Sequence, residues 1–374
     1  LSLALELYHN GSLPLKKIIE TITCNPAKIL KIKIDNYSDY GCSWEFSWGG
    51  WQNYGSSCVG GSFMVIFGVC KEIAVVECSE MSQLSCGDNE ICEWVFENYE
   101  KPKNYSFLHE SYLTIQDIAK NPVKINLHKL YNWAKTDVKA KNLLTWLQSN
   151  PHPSVNYNLF GTKTGRLTTR VGSFPIMNLK TELKAAVEPK WDCYLELDFN
   201  AAEIRTLLSL SGESQPQGDI HEWHKQNIFK DKLSRDEAKQ RFFAWLYNPN
   251  SQALESSPYD KQAILGQYYR EEKIHTRFGR QAACGPFHAL NYVLQSHSSD
   301  NCLDRVNKIN VFLRDRKSYV AFTIHDCVII DLHSDDRSLI PQLKEIFEDT
   351  RLGNFPSSCH IGKNLGTMRE FTWT

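Results

Sequence analysis

Two aspartates in apolar, strand-like runs constrain this chain more than anything else in it. Asp198 lies in Tyr194-Leu195-Glu196-Leu197-Asp198-Phe199, and Asp326, 128 residues later, in Phe322-Thr323-Ile324-His325-Asp326-Cys327-Val328-Ile329-Ile330. Runs rich in β-branched and aromatic residues read as strands, so each run puts a carboxylate at the edge of an apolar strand. Such a charge is costly to bury without a partner, and two of them can aim at shared divalent cations. Between the two lies Arg235-x3-Lys239-x3-Phe243-x3-Tyr247. Ser234 and Glu237 form a capping-box pattern that opens a helix there, and residues four apart drift only slightly around one helix face. Taken alone, that face reads equally as a solvated charged surface ending in core aromatics.

The chain of 374 residues is long enough for two or three subdomains around sizeable cores. Hydrophobic content of 42% and charged content of 23% are those of a folded globular protein and exclude fibrous and low-complexity classes. No apolar run approaches the roughly 20 residues of a membrane span, and no secretory signal is visible, so no membrane role is expected. The sequence starts at Leu1 rather than Met, as a fragment or an excised piece would. Twelve cysteines, seven of them before residue 93, include no C-x2-C pair. They read as free thiols in a reducing compartment rather than as a disulfide framework or a zinc site.

A formal net charge of −1 does not advertise nucleic-acid binding, but the charge is uneven. Lys120, Lys124, Lys129, Lys135, Lys139 and Lys141 stand against the single acid Asp137, and a second cluster holds Lys163, Arg166 and Arg170. Each cluster is either a solvated face or a phosphate contact.

Composition divides the chain into segments. Residues 1–33 read as a short helical segment whose origin the sequence leaves open; 13–30 is similar to the C-terminal helices of dihydroorotase-type amidohydrolases but lacks their metal-binding His-x-His, so no activity is inferred from it. Residues 34–100, with clustered Trp, Phe and Gly and the apolar run 63–69, read as a small α+β module closed by a helix near 90–97. Asp88-Asn89-Glu90 follows Gly87 in a polar turn and reads as a helix N-cap, not a metal clamp, so no proofreading nuclease is expected. Residues 101–160 turn helical and basic. There Leu127, Leu130, Tyr131 and Ala134 keep the spacing of an apolar helix face, and a second apolar patch spans 143–147.

From residue 159 onward further motifs accumulate in a fixed order. Thr164-Gly165-Arg166-Leu167-Thr168-Thr169 precedes Asp198 with Glu203 and Arg205; Asp219-Ile220-His221 precedes the cationic helix; Thr276-x-Phe278-Gly279-Arg280 and Asn291-x3-Gln295 precede His325-Asp326. Over roughly residues 104–374 this order resembles the family A, DNA polymerase I-type, DNA polymerases, and the compact stretch 158–167 is similar to bacteriophage members. The resemblance implies an α+β, right-hand polymerase fold with an antiparallel-sheet palm (161–215 and 276–374), helical fingers (216–275) and a reduced, thumb-like helical region (101–160). It implies template-directed addition of dNTPs to a primer 3′-hydroxyl in DNA replication, in the cytoplasm, which for a phage enzyme is that of the bacterial host.

The implied roles follow residue by residue. Asp198 and Asp326 would hold two Mg²⁺ ions, whose hard-oxygen preference suits carboxylates. Glu203, His221, Arg235, Lys239, Phe243 and Tyr247 would meet the dNTP, with Glu203 excluding the ribose 2′-hydroxyl. Arg166, Asn178, Lys184, Arg280, Asn291, Gln295 and His325 would contact primer–template DNA, Asn291 and Gln295 at the minor-groove edge. Glu203 with Phe243 argues against a single-subunit RNA polymerase. Three departures stand out: Cys327 replaces the Glu that usually follows the His-Asp pair, Asn200-Ala201-Ala202 replaces Ser-Gln-Ile, and the interval between the acids is short. Cys327 keeps open a second reading, a catalytically inactive, polymerase-derived nucleic-acid-binding protein.

Overall fold

A computed structural model describes residues 62–66, 73–77, 103–248, 251, 254 and 258–371. The chain divides into two compact units, 1–102 and 103–374. In the first, strands Ser62–Ile66 and Ile73–Glu77 pair antiparallel, with Ser62 opposite Glu77. The helices expected in 1–33, the turn at 88–90 and the helix at 90–97 lie outside the described residues.

The second unit is built on a five-stranded sheet. Its strands are β1 (Cys193–Phe199), β2 (Tyr319–Ile324), β3 (Cys327–Leu332), β4 (Ser357–Gly362) and β5 (Arg369–Glu370). They run in the order β2-β3-β1-β4-β5 with every neighbour antiparallel. Alternation along β1 sends Leu195, Leu197 and Phe199 to one face and Tyr194, Glu196 and Asp198 to the other. All three apolar residues are buried. On their side Phe199 stacks on Phe347 of helix α9 (Ile340–Glu348) with ring centroids 4.1 Å apart. β3 is buried along its whole length; its one charged residue, Asp331, is satisfied there by the Lys190 and Trp191 amides and the Tyr319 hydroxyl.

Helices α1 (Tyr105–Ala119), α2 (Leu127–Trp133) and α3 (Val138–Ser149) belong to the same core as the sheet, contributing Phe107, Leu130 and Leu147 beside Leu195, Leu197 and Ile330. The apolar face expected along α2 is only partly formed. Leu130 is buried, whereas Leu127 and Tyr131 are 47% and 50% exposed, because a helix of seven residues meets the core through little more than one turn. Among the lysines of this region, Lys120 pairs with Asp117, Lys129 with Glu188, and the Lys124 ammonium donates to the Pro189 carbonyl. Lys139 and Lys141 stay exposed.

A second apolar cluster gathers α4 (Ala202–Leu210), α5 (Ile220–Asn227), α6 (Arg235–Tyr247), α7 (Lys261–Tyr268) and a small antiparallel sheet of Tyr269–Arg270, Lys273–His275 and Gln281–Ala283. The segment boundary expected at 275/276 falls inside that small sheet. The 24-residue α8 (Ala289–Phe312) ties the clusters together: Val293 and Leu294 pack into the second, Leu303, Val306 and Ile309 into the first. No helix of the described residues is long and apolar enough to cross a membrane.

Candidate active site

The strand register brings the two aspartates to one sheet edge. Asp198, near the end of β1, lies opposite Cys327, the first residue of β3, so Asp326 in the β2–β3 turn sits directly beside it. The Phe199 amide donates to the Asp326 carbonyl at 3.4 Å. The turn is made of only two residues, and His325 adopts the left-handed region at φ 53°, an uncommon conformation for a residue with a Cβ. That geometry turns the exposed His325 outward and leaves Asp326 at the rim. The other side of β1 offers Ser358 opposite Asp198.

Neither acid has an ion-pair partner among the described residues, and both are half-buried. Burial, then Glu196 on the same strand face, then Asp326 push the Asp198 carboxyl up to about 7. Burial likewise raises Asp326, although Arg166 pulls the other way. The Ser298 hydroxyl, from α8, donates to Asp326 Oδ1 at 3.5 Å. Two adjacent, half-buried carboxylates short of positive charge form a donor set that suits a hard divalent cation. Among the described residues no three His, Cys, Asp or Glu side chains are gathered into a cage, so such a cation would draw its remaining ligands from water, backbone or substrate oxygens.

Glu203 joins three parts of the site. It sits in the first turn of α4, launched from the strand through Ala201 at φ 56°. Arg166 Nη2 donates to Glu203 Oε1 at 2.6 Å, and the Tyr247 hydroxyl donates to Glu203 Oε2. The Thr-Gly-Arg-Leu loop, α4 and the end of α6 therefore meet on one carboxylate. Arg205, two residues on, is fully buried and serves the scaffold: its guanidinium donates to the carbonyls of Asn200, Pro216 and Gly218 and to the Gln215 side chain, fixing the loop that leads into α5.

Helix α6 forms as its sequence indicates, with the Ser234–Glu237 capping box in place. Ala238, Phe242, Trp245 and Leu246 are buried. Arg235, Lys239 and Tyr247 are exposed and Phe243 half-buried, so the four-residue pattern is the open face. Phe243 stacks on Tyr247 at 5.9 Å between centroids, and His221 lies 6.0 Å from Phe243. His221 is buried, its Nδ1 has no hydrogen-bond partner, and burial lowers its pKa. Arg235 pairs with Asp219, the N-cap of α5, and Lys239 is unpaired among the described residues.

The residues expected on DNA fall into two groups. Asn178 is exposed just ahead of the one-turn helix Thr181–Lys184, and Lys184, its last residue, is half-buried. Asn291 and Gln295, one turn apart and half-buried on α8, continue along the stripe of Ser298, and Asn291 Oδ1 carries no hydrogen bond. Arg280 has a different place. It is buried and grips Asp300 through Nε (2.9 Å) and Nη2 (2.7 Å). A Cβ on Gly165, at φ 83°, would come within 2.4 Å of its guanidinium. Arg280 thus braces the turn that carries Arg166, and only glycine fits above it.

Three partners escaped the sequence reading: Asp219 for Arg235, Asp300 for Arg280 and Ser298 for Asp326. Ser298 alone had a local signal, standing seven residues after Asn291 on a helical repeat.

No family model matches the chain, and no curated protein matches it. Its fold does resemble a solved structure described as the POL domain of Pol1 from M. smegmatis in complex with DNA primer-template and dNTP, with a TM-score of 0.51. The architecture is polymerase-like. The two chains are 16% identical over a match covering 61% of this chain and 51% of the other, so this chain spans about half the length of that domain. At that identity the likeness speaks for the fold alone.

Proposed function

We propose that the protein is a template-directed DNA polymerase of the family A type, joining dNTPs to a primer 3′-hydroxyl in the replication of a bacteriophage, in the host cytoplasm. The observation that carries this reading is the adjacent pair Asp198 and Asp326, charge-deficient at the edge of a polymerase-like sheet. Two Mg²⁺ ions on these carboxylates would supply activation of the hydroxyl and charge neutralisation on the phosphates. In this reading the five-stranded sheet is the palm, α5–α7 the fingers and α1–α3 the reduced thumb. Arg235 and Lys239 bind the triphosphate electrostatically, and His221, whose pKa burial lowers, meets it through a hydrogen bond. Phe243 and Tyr247 offer a stacking surface for the nascent base pair.

Glu203 acts as the sugar gate. Its carboxylate, fixed by Arg166 and Tyr247, presents a bulky charge where a 2′-hydroxyl would have to fit. Asn178, Lys184, Asn291, Gln295 and His325 line the route of primer and template. Arg280 acts at one remove, by holding the Gly165–Arg166 turn.

A second reading, an inactive nucleic-acid-binding descendant, is favoured by one observation. Cys327 is buried opposite Asp198 and its thiol is pushed well above its ordinary pKa, first by burial and then by Glu196 and Asp198. It is therefore a neutral side chain at a position where a further carboxylate would have helped. Primer extension on a short template–primer with Mg²⁺ separates the readings. The expected outcome is extension with dNTPs, poor use of rNTPs, and loss of activity by a factor of about a hundred to a thousand in Asp198→Ala, the scale on which removing one preorganised electrostatic group acts. DNA binding without extension in the unaltered chain would establish the inactive protein instead.

A further inference from the structure

Arg235 is held on more than one edge of its guanidinium. Nε and Nη2 donate to Asp219 Oδ2 at 3.1 and 2.5 Å, and Nη1 donates to Asp236 Oδ1 at 3.1 Å. Asp219 uses its other oxygen to cap α5, accepting from the amides of His221 at 2.7 Å and Glu222 at 2.9 Å. The charge that a triphosphate would seek is thus met by two carboxylates of the protein itself. Around it, Lys239 is exposed and unpaired among the described residues, and the buried His221 offers an Nδ1 with no partner.

Resting on the polymerase reading, we propose that Asp219 is an internal competitor of the nucleotide triphosphate: it occupies Arg235 in the nucleotide-free protein and yields it when a polyphosphate binds. Three features make the exchange workable. The side chains of Arg235 and Asp219 are 44% and 42% exposed, and pairs so exposed hold together only weakly. Oδ1 can stay on the cap while Oδ2 lets go, so α5 need not unravel. A polyphosphate carries several times the charge of the carboxylate it replaces, so it wins where a single carboxylate or monophosphate gains little. Asp219 therefore acts as a threshold, biasing the site towards highly charged ligands.

The test is calorimetric titration of inorganic tripolyphosphate, which carries no base or sugar, into the full chain and its Asp219→Asn variant without divalent cation. Asparagine keeps the capping oxygen and removes the charge, and far-UV circular dichroism checks that the helices persist. Asp219→Asn is expected to bind about two- to fivefold more tightly, the factor set by the strength of an exposed pair, with the gain shrinking as salt screens it. Asp236→Asn, at an 83% exposed side chain, should gain less. Equal or weaker binding by Asp219→Asn, while the unaltered chain binds and Arg235→Ala does not, overturns the competitor role and leaves the polymerase reading intact. Absence of binding in both chains, together with absence of dNTP-dependent primer extension, overturns the polymerase reading and this inference with it.

Discussion

Two arginine–aspartate pairs with closely similar contact distances sit in different surroundings, and they behave as different devices. Arg280 and Asp300 join the small sheet to α8 with side chains 7% and 0% exposed; Arg235 and Asp219 join α6 to α5 with side chains more than two-fifths exposed. Burial pushes the Asp300 carboxyl up despite Arg280, whereas at Asp219 burial, the largest single influence, is outweighed by the hydrogen bond and charge of Arg235 together with the Glu222 and His221 amides, and the carboxyl is lowered. The first pair therefore spends most of its attraction on its own desolvation and is locked by it. The second keeps its charges in contact with water, where a ligand can exchange for one partner. The depth of an ion pair, more than its geometry, decides whether it is scaffold or binding surface.

The strongest way to break this contrast is to remove one partner of the buried pair. Arg280→Ala leaves Asp300 buried without a counter-charge and is expected to cost about 3–5 kcal/mol, read as a lower midpoint in chemical denaturation. The Gly165 turn should loosen with it, because Arg280 is the surface on which that turn rests. A loss below about 1 kcal/mol would put this pair in the same class as the exposed one.

The acid pair gives the next largest effect, and its sign follows from the raised carboxyl. With a folded pKa of about 7 against an ordinary 3.8, Asp198 holds its proton more firmly in the folded than in the unfolded chain. Cation-free stability should therefore fall as pH rises from about 4 to about 7 and then level. A divalent cation needs the ionised form. At a hundred times its dissociation constant at pH 8, Mg²⁺ would stabilise by about 2.7 kcal/mol, and by only about 1 kcal/mol at pH 5.5, where protons compete. Thermal melts with and without Mg²⁺ at the two pH values check this. A Mg²⁺ effect independent of pH, or one unchanged in Asp198→Asn, would remove the cation from this site.

How much of this was legible depended on whether the deciding interaction was local. The strands that carry Asp198 and flank Asp326 announced themselves by apolar runs, and the Ser234–Glu237 box by its spacing, because those signals arise within one element. The face of α2 misled, since seven residues fit a helical repeat whether or not two of its members meet a core. The least legible part was α8. Its run Ser296-His297-Ser298-Ser299-Asp300-Asn301 has the composition of a solvated turn, yet all six residues are buried, because the helix passes between two apolar clusters assembled from distant segments. The pairings Arg280–Asp300 and Arg235–Asp219 depend on that assembly and leave no trace in local spacing.

The smallest effect sharpens the comparison from the exposed side. Ser234→Ala removes one half of the capping box, in which the Ser234 side chain accepts from the Glu237 amide at 3.4 Å and the Glu237 carboxylate accepts from the Ser234 amide at 2.8 Å. Such caps are worth about 1 kcal/mol. The first turn of α6 is exposed apart from Ala238, so the cost should appear there. Amide exchange at Glu237 and Ala238 should quicken while the global denaturation midpoint shifts by no more than about that 1 kcal/mol. Fraying of this turn also frees Arg235 from a fixed position, so it should weaken tripolyphosphate binding even though Arg235 itself is untouched. Asp219→Asn moves affinity the other way at the same guanidinium. If Ser234→Ala instead lowered the global midpoint as far as Arg280→Ala, the exposed helices and the buried pair would be one cooperative structure, and depth would not separate scaffold from binding surface in this protein.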